Sequence, residues 1–167
     1  MHKFAENLIL KKHFVKYKPF LIFLASFFGC YILLTILYQY YLNDFGNDKV
    51  DTVTHFVAQN TESVLSWFSE SIHMKHVLSE PFVRAYFQNK YIARIVEGCN
   101  GISVIILFIS FIVAFSGSLK NTLLFVFGGS LLIYILNIIR IAVLIVLIYY
   151  FPEQNHLLHG VLFPAII

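Results

Sequence analysis

Three long apolar runs divide the chain, and one polar segment separates the first run from the second. The runs cover residues 19–42, 97–116 and 121–150, and each has about the 20 residues that a helix needs to cross a bilayer. A fourth run starts near residue 157 and reaches Ile167 after about half that length. Either the natural chain continues beyond Ile167 or this last segment is re-entrant, and the pattern favours continuation. We therefore predict four transmembrane helices, the last truncated or incomplete.

The polar segment, residues 43–96, contains elements of its own. Residues 84–97 have apolar triplets on both sides of Gln88-Asn89-Lys90, which is typical of a short β-hairpin. The first half carries apolar residues at roughly helical spacing, and they predict an amphipathic helix that rests on the membrane or caps the domain. These residues are Val53, Phe56, Val57, Val64, Trp67 and Phe68. The predicted fold class is an all-α integral membrane protein with one loop region that contains this helix and has room for the hairpin.

Composition supports this class, since 59% of the residues are hydrophobic and 17% aromatic. The mean hydropathy of +0.76 lies far outside the range of soluble domains. A chain of 167 residues has room for a single membrane domain, residues 1–167, with one extramembrane insertion. Neither a separate soluble core nor an internal repeat is indicated.

The distribution of lysines predicts the orientation. Lys11, Lys12, Lys16 and Lys18 precede the first run, which is too long for a secretory signal peptide and has no small-residue cleavage site. By the positive-inside rule the N-terminus lies in the cytoplasm, and Lys120 places the turn between the second and third runs there too. Residues 43–96 then lie on the extracytoplasmic side.

Arg140 lies within residues 122–151, where Ser130 and Asn137 are the other clearly polar side chains. A guanidinium at bilayer depth is costly, so such residues usually face a protein interior or a wet cavity and have a function. The alternative is that Arg140 extends its aliphatic chain to the external interface. Asn137 lies one turn away on the same helix face, so we expect it to orient the guanidinium.

Residue counting places Cys99 close to Arg140. The two residues lie about 19 and 22 residues from the turn at Ser118, on antiparallel helices, which gives heights of roughly 28 and 33 Å. His159, near the external end of the fourth run, falls at a similar level. A thiol, a guanidinium and an imidazole are therefore expected to converge at the outer membrane boundary.

This group of side chains has a coherent chemistry. An adjacent cation favours the thiolate of Cys99, and Arg140 can also stabilise the oxyanion that forms when the thiolate attacks a peptide carbonyl. His159 can protonate the leaving amine and then deprotonate the incoming nucleophile. His156, one turn earlier, is the alternative histidine. The predicted outcome is cleavage or transpeptidation through a thioester.

Three motifs carry a family resemblance: Glu97-Gly98-Cys99-Asn100-Gly101-Ile102, then Asn137-Ile138-Ile139-Arg140-Ile141, then Leu158-His159-Gly160. In this order they resemble the exosortase/archaeosortase family, and most closely its short subclass F, XrtF. The resemblance implies a cysteine transpeptidase of the bacterial inner membrane, with Cys99, Arg140 and His159 catalytic and Asn100, Gly101 and Asn137 in support.

By the same resemblance, the partners are exported proteins whose C-terminal signal combines a short motif, a membrane helix and a basic tail. The resemblance leaves the sorting motif, the acceptor nucleophile, the pathway partners and the oligomeric state open. Water, a lipid or a glycan amine could each resolve the acyl-enzyme.

Other residues favour structural roles. The pairs His73/His76 and His156/His159 have chelating spacing but no suitable third ligand, so neither a metal nor another cofactor is expected. Gly128-Gly129 indicates close helix packing, and Glu97 a favourable charge at a helix N-terminus. A disulfide between Cys30 and Cys99 is not expected. Arg84, Lys90 and Arg94 lie on the wrong side of the membrane for nucleic acid. The alternative function is a non-catalytic multi-pass scaffold or assembly partner of an envelope export system.

Overall fold

The computed structural model describes residues 2–46, 49–68, 71–77, 80–115 and 117–152. The predicted fourth segment, with His156 and His159, lies outside the described residues. The elements are helices α1 (His2–Asn43) and α2 (Thr52–Ser66), strands β1 (Ile72–His76), β2 (Phe82–Phe87) and β3 (Lys90–Val96), a single 3-10 turn at Glu97–Cys99, and helices α3 (Ile102–Ala114) and α4 (Leu119–Tyr150).

Two helices of the described part are long and apolar enough to cross a membrane: Lys16–Asn43 within α1, and α4. Helix α3 is apolar but has 13 residues, which is short of a full span. It begins at Ile102 rather than near Glu97 because Gly101 takes a left-handed conformation with φ 81°, which no α-helix continues through. The described residues therefore show two span-length helices and one shorter helix where three full spans were expected.

The apolar helices pack in a row, with α1 against α3 and α3 against α4. Phe23 of α1 lies edge-on to Phe111 and Phe115, at centroid distances of 6.1 and 5.0 Å. Between α3 and α4 the close approach is at Gly129, where a Cβ would lie 2.2 Å from Cζ of Phe108. The prediction of close packing is thus confirmed for Gly129, whereas a Cβ on Gly128 would meet open space.

Between α1 and α3, residues 49–99 contain an antiparallel sheet in the order β1-β2-β3. The predicted hairpin is confirmed as β2–β3, with Gln88 and Asn89 at positive φ in the turn, as a two-residue connection requires. The chain is mostly helical, as predicted, but the sheet has a third strand, β1, that the sequence did not predict. In its sequence, Ile-His-Met-Lys-His, only Ile72 and Met74 alternate with polar residues and pack on the core, which is too short a pattern to predict a strand.

Helix α2 is confirmed, but the predicted apolar positions fall on two sides of it, since Val57 is buried and Val64 packs against the core while the aromatic ones are exposed. Asp51 caps the helix by accepting a hydrogen bond from the Thr54 amide at 2.9 Å. Two buried threonines share the inner face with apolar residues, and the Thr61 hydroxyl is satisfied by donating to the Val57 carbonyl at 2.8 Å. The buried residues are Thr54, Val57, Ala58, Thr61 and Leu65, whereas Phe56, Trp67 and Phe68 are exposed.

Helix α4 changes character along its length. Residues 119–136 contain no buried residue, whereas seven of the residues from Asn137 onward are buried. The first part measures about 27 Å, close to the thickness of a bilayer core of about 30 Å. The later part packs into one hydrophobic core with α2 and the sheet, through Ile141, Ala142 and Ile145. One helix thus supplies both an apolar segment of span length that the insertion leaves uncovered and a part of the core of the insertion.

Candidate active site

The cysteine turn, residues Glu97–Gly101, connects β3 to α3. The Asn100 amide donates to the Glu97 carbonyl at 3.1 Å and closes the 3-10 turn that ends at Cys99. Gly101 then reverses the chain at positive φ, where a side chain is strained. A Cβ on Gly101 would also lie 3.1 Å from Cγ of Asn137. Both backbone conformation and space therefore favour glycine after the Cys-Asn pair.

Asn100 joins three helices beside the cysteine, and its side chain is only 2% exposed. Its Oδ1 accepts from the Ile102 amide at 2.9 Å and so caps α3. Its Nδ2 donates to the Tyr38 hydroxyl of α1 at 2.7 Å and to the Thr54 hydroxyl of α2 at 3.1 Å. The structure thus connects the residue next to Cys99 to α1, α2 and α3.

Asn137 holds the same turn from α4. This buried side chain donates from Nδ2 to the carbonyl oxygen of Cys99 at 2.8 Å. The described hydrogen bond therefore positions the cysteine backbone, while the expected role of Asn137 in orienting Arg140 stays a prediction. The turn is therefore held in two ways: the Asn100 side chain binds the neighbouring helices, and the Asn137 side chain binds the backbone of Cys99.

The structure brings Cys99 and Arg140 together. Arg140 lies one helical turn beyond Asn137, whose side chain binds the Cys99 carbonyl at 2.8 Å, so the guanidinium and the thiol belong to the same region of the molecule. Both residues are partly buried, and Cys99 packs against the core shared by α4 and the insertion. The pair lies close to the point where α4 changes from exposed to buried.

Two carboxylates lie near the start of the cysteine turn. Asp51 is 4% exposed at the start of α2, and Glu97 opens the 3-10 turn. Burial raises the pKa of Glu97, and the negative charge of Asp51 raises it further. Both line an open pocket of about 260 Å³ together with Leu42, Phe45, Gly46, Lys49 and Pro81.

The remaining expectations for sites have different outcomes. His159 and His156 lie outside the described residues, so the arrangement of the proposed histidine stays a prediction. Within the described ranges no three His, Cys, Asp or Glu side chains cluster as a metal would require. His55 and His76 pack edge to face at 5.3 Å. Cys30 and Cys99 are both free thiols.

Sequence reasoning missed Tyr38 and Thr54 as parts of this site. Tyr38 is one of three tyrosines near the end of the first apolar run, with nothing to distinguish it from Tyr40 and Tyr41, and Thr54 falls among the polar positions of α2. The signal that could have found Thr54 is its place three residues after an N-cap aspartate, which directs it to the buried start of the helix.

A family model described as transmembrane exosortase matches residues 19–167. The match includes the cysteine turn, Asn137 and Arg140, together with most of α1. No curated protein and no solved structure matches the chain.

Proposed function

The chain belongs to the transmembrane exosortase family, and from this premise we propose that it is a cysteine transpeptidase that processes C-terminal sorting signals of exported proteins. Its substrates carry a short motif, a membrane helix and a basic tail. Within the family we assign it to the short subclass F. The proposed location is the bacterial inner membrane, with a cytoplasmic N-terminus and the insertion on the extracytoplasmic side.

The observation that carries the proposal is the hydrogen bond from Asn137 to the Cys99 carbonyl, which holds the cysteine turn beside α4 one helical turn from Arg140. A thiol on the turn before α3 and a permanent cation on α4 are thereby brought to one region of the molecule, with the Asn137 amide fixing the cysteine backbone. A scaffold needs neither a thiol nor a permanent cation at this point. A thiol-dependent acyl transfer uses both.

The proposed reaction begins when the Cys99 thiolate attacks the carbonyl carbon of the scissile peptide bond. The C–N bond then breaks, the amine leaves with a proton from His159, and the substrate remains attached as a thioester. An acceptor with an N–H or O–H group attacks this thioester and returns its proton to His159. The C–S bond breaks, and the thiolate is restored.

Arg140 supports this sequence through its charge. The guanidinium favours the thiolate before attack, and it stabilises the oxyanion of each tetrahedral intermediate. Because the site is partly removed from water, either interaction is stronger than it would be in bulk solvent. Lysine keeps the charge but loses the planar set of donors, so it is a poor substitute at a site that uses geometry.

The test is to trap the acyl-enzyme in membranes that contain the chain and a protein bearing a sorting signal. We expect a covalent adduct on Cys99, detected by intact mass and released by neutral hydroxylamine as a thioester is. Cys99→Ala abolishes the adduct and the processing, and Arg140→Lys lowers processing about 100-fold, the scale of a lost oxyanion donor.

Cys30→Ala is the matched control, because it removes the other thiol, and it should process normally. All variants must accumulate in the membrane at similar levels. Normal processing by Cys99→Ala would contradict the proposal and favour the scaffold function.

A further inference from the structure

Helix α2 presents an uncharged stripe on the side opposite its buried face. Phe56, Asn60, Ser63 and Trp67 follow one another at intervals of three or four residues and so lie along one line of the helix. Phe56 is 56% exposed and Trp67 82%, and Phe68, which follows, is 81% exposed. Large aromatic surfaces therefore face away from the core of the molecule.

Contacts fix the height of this stripe relative to the membrane helices. The Phe56 ring stacks on Tyr134 of α4 with centroids 6.3 Å apart, and Asn60 Nδ2 donates to the Tyr134 hydroxyl at 3.1 Å. Tyr134 lies three residues, about 4.5 Å, on the membrane side of Asn137, where burial of α4 begins. The Phe56–Asn60 part of the stripe is thus level with the end of the exposed segment of α4.

We propose that α2 lies in the headgroup layer of the bilayer, with Trp67 and Phe68 inserted beside the upper acyl chains. The occupant of the stripe is lipid. The argument is continuity, because the exposed surface of α4 runs through Leu131 and Ile135 up to the Phe56–Tyr134 stack. Tryptophan and phenylalanine suit this layer, where an apolar ring meets lipid and water remains within reach.

A second observation supports the same level on another helix. Tyr40 of α1 is 72% exposed and lies two residues, about 3 Å, beyond Tyr38, which binds Asn100. Since Asn100 also binds Thr54 at the start of α2, the two helices are connected at one height. Tyr40 and the Phe56 end of α2 therefore lie at similar heights, as two members of one aromatic belt would.

The position of α2 in the headgroup layer also determines where the cysteine turn lies. The start of α2 binds Asn100, so a helix held in the headgroup layer holds Cys99 in that layer as well. This consequence rests on the proposed function: the scissile bond of a substrate must then lie within a few residues of its membrane helix. The lipid seating itself requires no catalysis.

Trp67 is the one tryptophan of the chain, so its fluorescence reports the position of α2 without any labelling. The Cys99→Ala chain is reconstituted into phosphatidylcholine vesicles with and without bromine on the acyl chains. We expect brominated lipid to quench at least half of the emission, with bromine near the headgroup more effective than bromine near the chain end. Acrylamide in the water should quench weakly.

The matched control carries Trp67→Phe together with Tyr91→Trp. Tyr91 is half exposed near the β2–β3 turn, and Gln88 of that turn binds Tyr149, which is about 18 Å beyond Asn137. Acrylamide should quench this tryptophan and brominated lipid should not.

Strong acrylamide quenching of Trp67 with no effect of brominated lipid would overturn the proposal. Protection from both quenchers would overturn it as well, since it would indicate a protein partner or a second copy on the stripe. Because the chain tested is inactive, neither result depends on whether the proposed function is correct.

Discussion

At the scale of single residues, Tyr38 is the polar contact between α1 and the cysteine turn. Replacing Tyr38 by phenylalanine removes the acceptor for Asn100 Nδ2 and leaves a buried donor with one partner, the Thr54 hydroxyl. We expect Tyr38→Phe to lower the free energy of unfolding by about 1 kcal/mol, the usual contribution of such a bond. Chemical denaturation in detergent micelles measures it.

Tyr40→Phe serves as the control for this change. The same hydroxyl is removed two residues away, from a side chain that is mostly exposed. Its unfolding curve should match that of the unmodified chain. Equal stabilities for both variants and the unmodified chain would mean that the bond between Tyr38 and Asn100 adds nothing to the fold.

Glu97 gives the fold a pH dependence. Its pKa is raised by burial and by the charge of Asp51, so the folded state holds its proton more tightly than the unfolded state does. The associated stability is present below the unfolded pKa and is lost as pH rises through the folded pKa. We expect Glu97→Gln to lose less stability than the unmodified chain as pH rises from the ordinary range of a glutamate through the raised pKa of Glu97.

Thermal unfolding in detergent at a series of pH values gives this comparison. Asp51→Asn is the companion variant, since it keeps an N-cap acceptor for α2 but removes the charge that faces Glu97. It should reduce the pH dependence only in part, because burial is the larger cause. A larger loss in Glu97→Gln than in the unmodified chain would contradict the assignment.

The sequence singled out Cys99 and Arg140 because a thiol in a Gly-rich turn and a charge in an apolar helix stand out. The depth count treated the residues between Cys99 and the turn at Ser118 as one helix, whereas α3 begins at Ile102 and ends at Ala114. The cysteine turn is instead held beside α4 by the hydrogen bond from Asn137 to the Cys99 carbonyl. Tyr38 and Thr54 could not be found in the same way. Their importance comes from Asn100, which connects segments that no periodicity relates to one another.

At the scale of elements, the contact between α3 and α4 depends on a glycine. A Cβ at position 129 would lie 2.2 Å from the Phe108 ring, whereas one at position 128 would meet nothing within 4 Å. We expect Gly129→Ala to cost about 1–3 kcal/mol as an overpacked contact. Gly128→Ala should leave the stability unchanged or raise it, because alanine favours a helix.

Unfolding of the two alanine variants in detergent tests this pair. Adding Phe108→Leu to Gly129→Ala should recover part of the loss, since a smaller side chain then faces the new methyl group. If the two alanine variants are equally stable, the close approach of α3 to α4 does not depend on Gly129.

Helix α2 shows what a hydrophobic pattern can predict and what it cannot. Helix α2 is confirmed as a helix, but its predicted apolar positions do not mark a single face. Apolar residues lie on both sides of this helix, because Val57 and Leu65 meet the core while Phe56 and Trp67 are exposed. Buried threonines then complete the inner face through hydrogen bonds, which hydrophobic periodicity does not register.

At the scale of the whole molecule, α4 joins the membrane segment to the insertion. Its first part is about as long as a bilayer core is thick. Its second part, from Asn137 onward, is the buried part on which α2 and β3 pack. Apolar sequence runs through both parts without a break, so the sequence indicated one long span. The division at Asn137 appears only once the insertion folds onto the helix.

The proposed orientation can be tested with the two native cysteines. Cys30 lies eight residues before Tyr38 on α1, about 12 Å deeper than the cysteine turn, and within the predicted span. We expect a membrane-impermeant maleimide added to spheroplasts to label the Cys30→Ala chain, through Cys99, and not the Cys99→Ala chain. A chain without either cysteine, with Lys120→Cys, should be labelled only after the membrane is permeabilised.

This set of variants separates the orientation from the depth. Labelling of the cysteine at position 120 in intact spheroplasts, with Cys99 reactive only after permeabilisation, would reverse the proposed topology and place the insertion in the cytoplasm. An exosortase-like enzyme must meet its substrates after export, so a reversed topology would also remove the basis of the proposed function. Labelling of Cys30 from outside would instead mean that the lipid-facing segment of α1 is not embedded.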